Sequence, residues 1–89
     1  MQEKKVTLIN KRGLHARAAT RLVQTSQQFQ AQTEVCLNER TANARNIMQL
    51  LMLAAPCGTE LILRAEGEDE NQALAALDAL VLNRFDEED

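Results

Sequence analysis

His15 is the one histidine in this 89-residue chain, and it lies in Gly13-Leu14-His15-Ala16-Arg17-Ala18-Ala19, where a strand-like pattern gives way to helical spacing. A side chain at a helix N-cap faces backbone N–H groups that have no intrahelical acceptor, and the helix dipole there favours an anion. An imidazole at that point can carry a phosphoryl group whose negative charge the backbone stabilises. Arg17, two residues on, adds a planar, permanently charged donor suited to phosphate oxygens. The neutral ring keeps a nitrogen lone pair near pH 7, because the ordinary imidazole pKa is ~6.5, so it can act as a nucleophile without a separate base. Histidine is also tolerated at helix starts for no functional reason. The local pattern alone leaves an incidental surface histidine open as the alternative.

The elements that must position these residues follow from apolar spacing. Val6 and Leu8 on one face predict a first strand over residues 5–10, with Lys11-Arg12-Gly13 as the loop after it. A first helix is expected over about residues 16–28, burying Ala19, Leu22, Val23 and Ser26, turning Arg17, Arg21, Gln24 and Gln28 to water, and closed by Phe29. Thr33, Val35 and Leu37 alternate with Gln32, Glu34 and Cys36 in a second strand. Asn38-Glu39-Arg40 reads as a turn into a short third strand at 41–44. Asn46 is an expected N-cap for a short helix through about residue 53, in which Leu50, Leu51 and Leu53 are core. Pro56-Cys57-Gly58 breaks the chain before a fourth strand at 60–65. Acidic Glu68, Asp69 and Glu70 suit the positive end of a last helix, whose stripe of Ala73, Leu74, Leu77, Leu80 and Val81 covers the sheet. Helices on one face of an antiparallel sheet give an α+β fold, an open-faced sandwich of four strands and three helices.

Composition narrows the function classes. A chain of 89 residues is expected to form one domain over 1–89 that buries only somewhat more than ~60% of its unfolded surface, leaving little room for a deep catalytic pocket. No apolar run approaches the ~20 residues that span a bilayer, and the first residues, Met1-Gln2-Glu3-Lys4-Lys5, lead into no signal-like segment. The expected location is the cytoplasm, with no membrane insertion. Cys36 and Cys57 stand far apart and belong to no ligand cluster, so free thiols and no metal are expected.

Charge is informative when split. Residues 1–45 hold eight Lys and Arg against three acids, a net of +5, and residues 46–89 hold two against ten, a net of −8, together the formal −3. Lys11, Arg12, Arg17, Arg21 and Arg45 are candidates for a positive field around His15 that steers an acidic partner. Lys4, Lys5 and Arg40 read as a solvated face, and the run at residues 86–89 as a solubilising tail. Nucleic acid is a poor partner for an acidic chain whose only aromatics are Phe29 and Phe85.

Gly-Leu-His-Ala-Arg followed by small residues resembles the active-site signature of the HPr family, the histidine phosphocarriers of the phosphoenolpyruvate-dependent phosphotransferase system. Chain length, element order and Ala65-Glu66-Gly67-Glu68-Asp69-Glu70 before the last helix extend the likeness over the whole chain. The run Ile47-Met48-Gln49-Leu50-Leu51-Met52-Leu53 and the ending Phe85-Asp86-Glu87-Glu88-Asp89 resemble the nitrogen-related branch, NPr, more than the sugar-transport branch. The resemblance implies strand order 1-4-2-3 and a carrier, not an enzyme. His15 would accept a phosphoryl group on Nδ1 from an Enzyme I-type protein and pass it to a IIA-type protein. Arg17 and the backbone N–H groups of Ala16 and Arg17 would hold the phosphoryl oxygens. It further implies no cofactor, a monomer, and a partner-docking face that includes Ile47, Met48, Met52, Thr20 and Arg21, where flexible methionines can fit two partners in turn. Two departures matter: Ala18 stands where the family often has proline, and Asn46 where many sugar-branch members have a regulatory serine. A non-catalytic adaptor using the same surface, or a structural module with an incidental histidine, are the readings from other classes.

Overall fold

The computed structural model describes residues 1–86. The chain runs β1 (Gln2–Thr7), α1 (Ala16–Ser26), β2 (Gln32–Leu37), β3 (Arg40–Asn43), α2 (Ile47–Met52), β4 (Glu60–Glu66) and α3 (Glu70–Leu82). The sheet order is β1-β4-β2-β3, with every neighbouring pair antiparallel. This is the expected order and the expected α+β architecture.

Period-two burial fixes which face the helices cover. Val6, Thr33, Val35, Ala42, Leu61, Leu63 and Ala65 are buried on the inner side of the four strands. They meet Ala18, Ala19, Leu22, Val23 and Ser26 of α1, Leu50 of α2, and Ala73, Leu74, Leu77 and Val81 of α3. A one-residue slip of any strand would turn its apolar set to water, so this face specifies the register. On the outer side Glu3 and Glu34 both lie opposite Arg64, which donates to Glu3 at 2.8 Å and to Glu34 at 3.3 Å.

Several boundaries move from the sequence expectation. β1 covers residues 2–7 instead of 5–10, because its partner β4 ends its pairing at Thr7 opposite Glu60. The inward alternation nevertheless continues through buried Leu8 and Asn10, with the Leu8 N–H donating to Thr59 O at 2.9 Å. α1 stops at Ser26, two residues early, where the Gln27 N–H still donates to Val23 O and the following N–H groups close a tighter turn. β3 starts and ends one residue earlier than expected, α2 ends at Met52 and β4 reaches Glu66.

Long-range contacts add what local patterns do not show. Asp69 occupies the N-cap of α3 but does not cap it with its side chain; its carboxylate accepts the N–H groups of Gln30 at 2.9 Å and Ala31 at 2.8 Å, tying the start of α3 to the turn after α1. Arg40 is not merely a solvated cation, since it donates to Met52 O at 3.2 Å and Leu53 O at 3.0 Å at the end of α2. Lys4 pairs with Asp78 at 3.2 Å. Phe85, absent from the expected core, is fully buried, carried inward by a turn over residues 84–86 with φ of +53°, +55° and +64°. Asp86 contacts Arg21 at 3.8 Å, and residues 87–89 of the expected acidic tail lie outside the described residues.

Two predictions follow from this packing. Gly13 and Gly58 both have positive φ, +66° and +92°, but a Cβ at Gly13 would stand 2.3 Å from Ala55 O while one at Gly58 meets nothing within 4 Å. Gly58→Ala should therefore cost about 1–2 kcal/mol of backbone strain alone, whereas Gly13→Ala adds a steric term of about 1–3 kcal/mol; urea midpoints of the two variants measure the difference, and equal midpoints would refute the contact. The second uses Asp69, whose carboxyl lies below the usual carboxylate range chiefly because the Gln30 N–H bonds its charged form, with the Ala31 N–H and the Arg45 charge adding to the effect. A pKa lowered on folding contributes stability above the unfolded value of ~3.9 and loses it as pH falls through the folded value. The stability gap between wild type and Asp69→Asn should therefore be widest near neutrality and shrink in acid, as thermal unfolding across that range would show.

Candidate functional site

The site begins with a loop that cannot relax. The chain leaves β1, turns at Asn10, and enters α1 through Gly13 and Leu14. The Gly13 N–H donates to Asn10 O at 3.1 Å, and the Leu14 N–H to Ala55 O at 2.8 Å. The Asn10 Nδ2 donates to Gly13 O at 2.7 Å, and the same oxygen accepts the His15 N–H at 3.0 Å. Leu14 is buried. Residues 55–58, which follow α2, thus abut the segment that delivers His15.

His15 is the N-cap of α1, with extended backbone at φ −87° and ψ −177°. Its carbonyl takes the first helical bond, from the Ala19 N–H at 2.8 Å. Its Nδ1 accepts the Arg17 N–H at 3.2 Å, so the lone pair lies on Nδ1 and the neutral ring carries its proton on Nε2. The ring is half-buried and belongs to the first turn, where the N–H groups of Ala16, Arg17 and Ala18 have no acceptor within the helix. Nδ1 is therefore turned toward the end of α1 that carries positive potential.

The expected cations divide. Lys11, Arg12 and Arg17 are exposed, and no acidic side chain among the described residues pairs with them. Arg17 touches His15 through its backbone N–H, while its guanidinium is not held in place. Arg21 is exposed one turn further on and pairs with Asp86. Arg45 departs from the expectation: its guanidinium bonds the carbonyls of Ser26, Phe29 and Ala31. These lie at and beyond the C-terminal end of α1, opposite to His15, so Arg45 satisfies carbonyls there and is not part of the field at the histidine.

The residues expected to dock a partner lie mostly on the surface. Met48 and Met52 are 66% and 73% exposed and Ile47 37%, while Leu50 and Leu53 are buried and Leu51 is partly buried. Asn46 caps α2 by accepting the Gln49 N–H at 3.1 Å. Thr20 is half-exposed and its hydroxyl donates to Ala16 O at 2.8 Å. α1 and α2 pack on one another. Sequence reasoning missed Asn10, although an amide in the alternation Val6, Leu8, Asn10, where an apolar residue belongs, was a readable signal. Cys36 is a buried free thiol and Cys57 an exposed one. Among the described residues no three His, Cys, Asp or Glu side chains gather as a metal site, and no helix is long and apolar enough to cross a membrane.

Known proteins resemble this chain in sequence and in fold. A family model described as the PTS HPr component phosphorylation site matches residues 2–83. The phosphocarrier protein HPr of Xylella fastidiosa (strain Temecula1) is 47% identical over 88 residues, 99% of each chain. The phosphocarrier protein NPr of Shewanella violacea is 42% identical over 85 residues, 96% of this chain and 93% of that one. The crystal structure of an HPr from Thermoanaerobacter tengcongensis matches with a TM-score of 0.94 at 40% identity, covering 99% of both chains. With the family model spanning β1 through α3 and both sequence and backbone matched over 99% of the chain, the assignment follows: the chain belongs to the HPr family, the phosphocarriers of the phosphotransferase system.

Proposed function

We propose that His15 is the phosphoryl acceptor and that Nδ1 is the accepting atom. The observation that carries this reading is the Arg17 N–H at 3.2 Å from Nδ1, at the N-terminus of an eleven-residue helix. The Nδ1 lone pair attacks phosphorus on the phosphohistidine of an Enzyme I-type donor. The donor's P–N bond breaks, and its electron pair returns to the donor nitrogen. As the new N–P bond forms, the Arg17 N–H passes from Nδ1 to a phosphoryl oxygen, and the Ala16 N–H and the exposed Arg17 guanidinium supply further donors. Because transfer needs positioning and charge stabilisation more than new covalent machinery, the reverse attack by a histidine of a IIA-type acceptor uses the same parts.

The docking face combines Ile47, Met48 and Met52 of α2 with Thr20 and Arg21 of α1. Exposed methionines adapt to two partners that must bind in turn. Lys11, Arg12 and Arg17 steer acidic partner surfaces to the histidine. The carrier works as a monomeric single domain in the cytoplasm, where phosphoenolpyruvate charges its donor. We assign it to the nitrogen-related branch, supported by the run at residues 47–53, the ending at 85–89 and the 42% identity to an NPr. The HPr name of the 47% identical relative favours the sugar-transport branch as the second reading. At Asn46 there is no hydroxyl for a serine kinase in either case. Phosphoryl uptake from each Enzyme I paralogue, followed by transfer to each IIA-type acceptor, separates the branches by rate.

Incubation with phosphoenolpyruvate and an Enzyme I-type protein should add one phosphoryl group by intact mass, labile in acid and stable in base. His15→Ala should abolish it, and uptake persisting in that variant would end the assignment. A partner whose binding and response both ignore His15→Ala would support the adaptor role. Arg17→Ala should slow transfer at least about tenfold, short of the ~10²–10³ lost with a fixed, preorganised donor, since this guanidinium is not held. Its stability should stay within about 0.5 kcal/mol of wild type, as for other surface substitutions. Unchanged rates in both directions would remove Arg17 from the site.

A further inference from the structure

Asn10 is a polar side chain where the fold calls for an apolar one. It continues the inward alternation of Val6 and Leu8 and is fully buried. Its Nδ2 donates to Gly13 O at 2.7 Å, while its Oδ1 meets no donor among the described residues. Burying an amide costs stability unless all of it is hydrogen-bonded. An apolar residue would thus serve the core better, and the return on Asn10 must lie in the geometry it fixes.

That geometry leads directly to the histidine. Gly13 O is shared by the Asn10 side chain and by the His15 N–H at 3.0 Å. The Gly13 N–H in turn donates to Asn10 O at 3.1 Å, so one residue grips the Gly13 peptide from both ends. Rotation of the peptide between Gly13 and Leu14 would carry Gly13 O away from the His15 N–H. It would also swing the His15 backbone, and with it the imidazole whose Nδ1 meets the Arg17 N–H. Gly13 has no Cβ to limit its dihedrals; the Leu14 N–H holds the far side of this peptide on Ala55 O at 2.8 Å, and the Asn10 amide holds its carbonyl.

We propose that Asn10 is a positioning residue for phosphoryl transfer: its buried amide locks the Gly13 carbonyl and thereby holds Nδ1 of His15 against the N-terminus of α1. The inference rests on the reading of His15 as the acceptor, and its test has one arm that does not. In the unmodified protein, ¹⁵N NMR reads the tautomer of His15 and the amide proton of Arg17. Asn10→Asp keeps the shape and replaces the donor by an acceptor, and Asn10→Ala removes it. In both, the Nδ1–H tautomer should grow and the Arg17 amide proton should move upfield. With Enzyme I-type protein and phosphoenolpyruvate, the maximal uptake rate should fall roughly tenfold to a hundredfold, the scale of a misplacement of about 1 Å, with half-saturation unchanged. Leu80→Ala, on the half-buried edge of α3, serves as a destabilised control and should move neither reading. A folded Asn10 variant with the wild-type tautomer overturns the proposal, and so does an uptake defect that Leu80→Ala reproduces. If neither Asn10 variant folds, the residue is a folding requirement and the positioning role is likewise overturned. Should the wild type take up no phosphoryl group, the acceptor reading fails while the tautomer still decides what Asn10 does.

Discussion

The close passage of Gly13 beneath the Ala55–Pro56 peptide is the constraint on which the site depends. The backbone there must take φ of +66°, and a Cβ would come within 2.3 Å of Ala55 O and 2.7 Å of Pro56. Because the chain passes this close, the Leu14 N–H reaches Ala55 O at 2.8 Å and Leu14 enters the core. His15 is then left at the surface with extended backbone, the conformation an N-cap requires. A phosphoryl site at a helix start therefore needs more than a histidine in the right place in sequence. It needs the preceding segment to be anchored hard enough that the imidazole has one orientation relative to the helix.

The division of the cations follows from the same electrostatics. A helix presents partial positive charge at its N-terminus and partial negative charge at its C-terminus. Arg45 lies at the C-terminal end of α1 and Arg40 at that of α2, where each donates to carbonyls that the helix leaves unsatisfied. Lys11, Arg12 and Arg17 lie near the N-terminal end of α1, where a fixed cation would be repelled and no carboxylate of the described chain pairs with them. Among the described residues their charge meets no carboxylate partner. A net of +5 in the first 45 residues is thus two populations with different tasks, distinguished by which end of a helix each one meets.

This division also marks how far the sequence could be read. Features set by neighbours along the chain were legible: the alternation in β2 and β4, the apolar stripes of α1 and α3, and the caps His15 and Asn46, each of which depends on residues within one turn. Features set by residues brought together only by topology were not. Asp69 reads as one of three acids suited to the positive end of its own helix, yet its carboxylate bonds N–H groups at Gln30 and Ala31, 38 to 39 residues away. Arg45 reads as one more cation near the histidine until α1 is seen to separate them. Phe85 follows a polar pair, Asn83-Arg84, and only the three left-handed residues at 84–86 turn it inward, a conformation that no residue type there announces.

The short helix α2 shows why the proposed docking face needs support from outside itself. Six residues cannot sustain a helix in water, where even about 12–15 residues are marginal. Three exposed apolar side chains, Ile47, Met48 and Met52, add nothing to its burial. α2 is held by Leu50 in the core, by the Asn46 cap at its start, by the Gln49 side chain accepting the Asn43 N–H at 2.8 Å, and by Arg40 on its last carbonyls. Three of these four attachments are polar and come from its two ends or from β3, so Ile47, Met48 and Met52 are not needed to hold the helix. A surface built in this way can present methionines to water without the helix turning over to bury them. The chain that leaves α2 goes on to abut Gly13, so the support that fixes α2 and the support that fixes His15 are parts of one connected stretch of backbone.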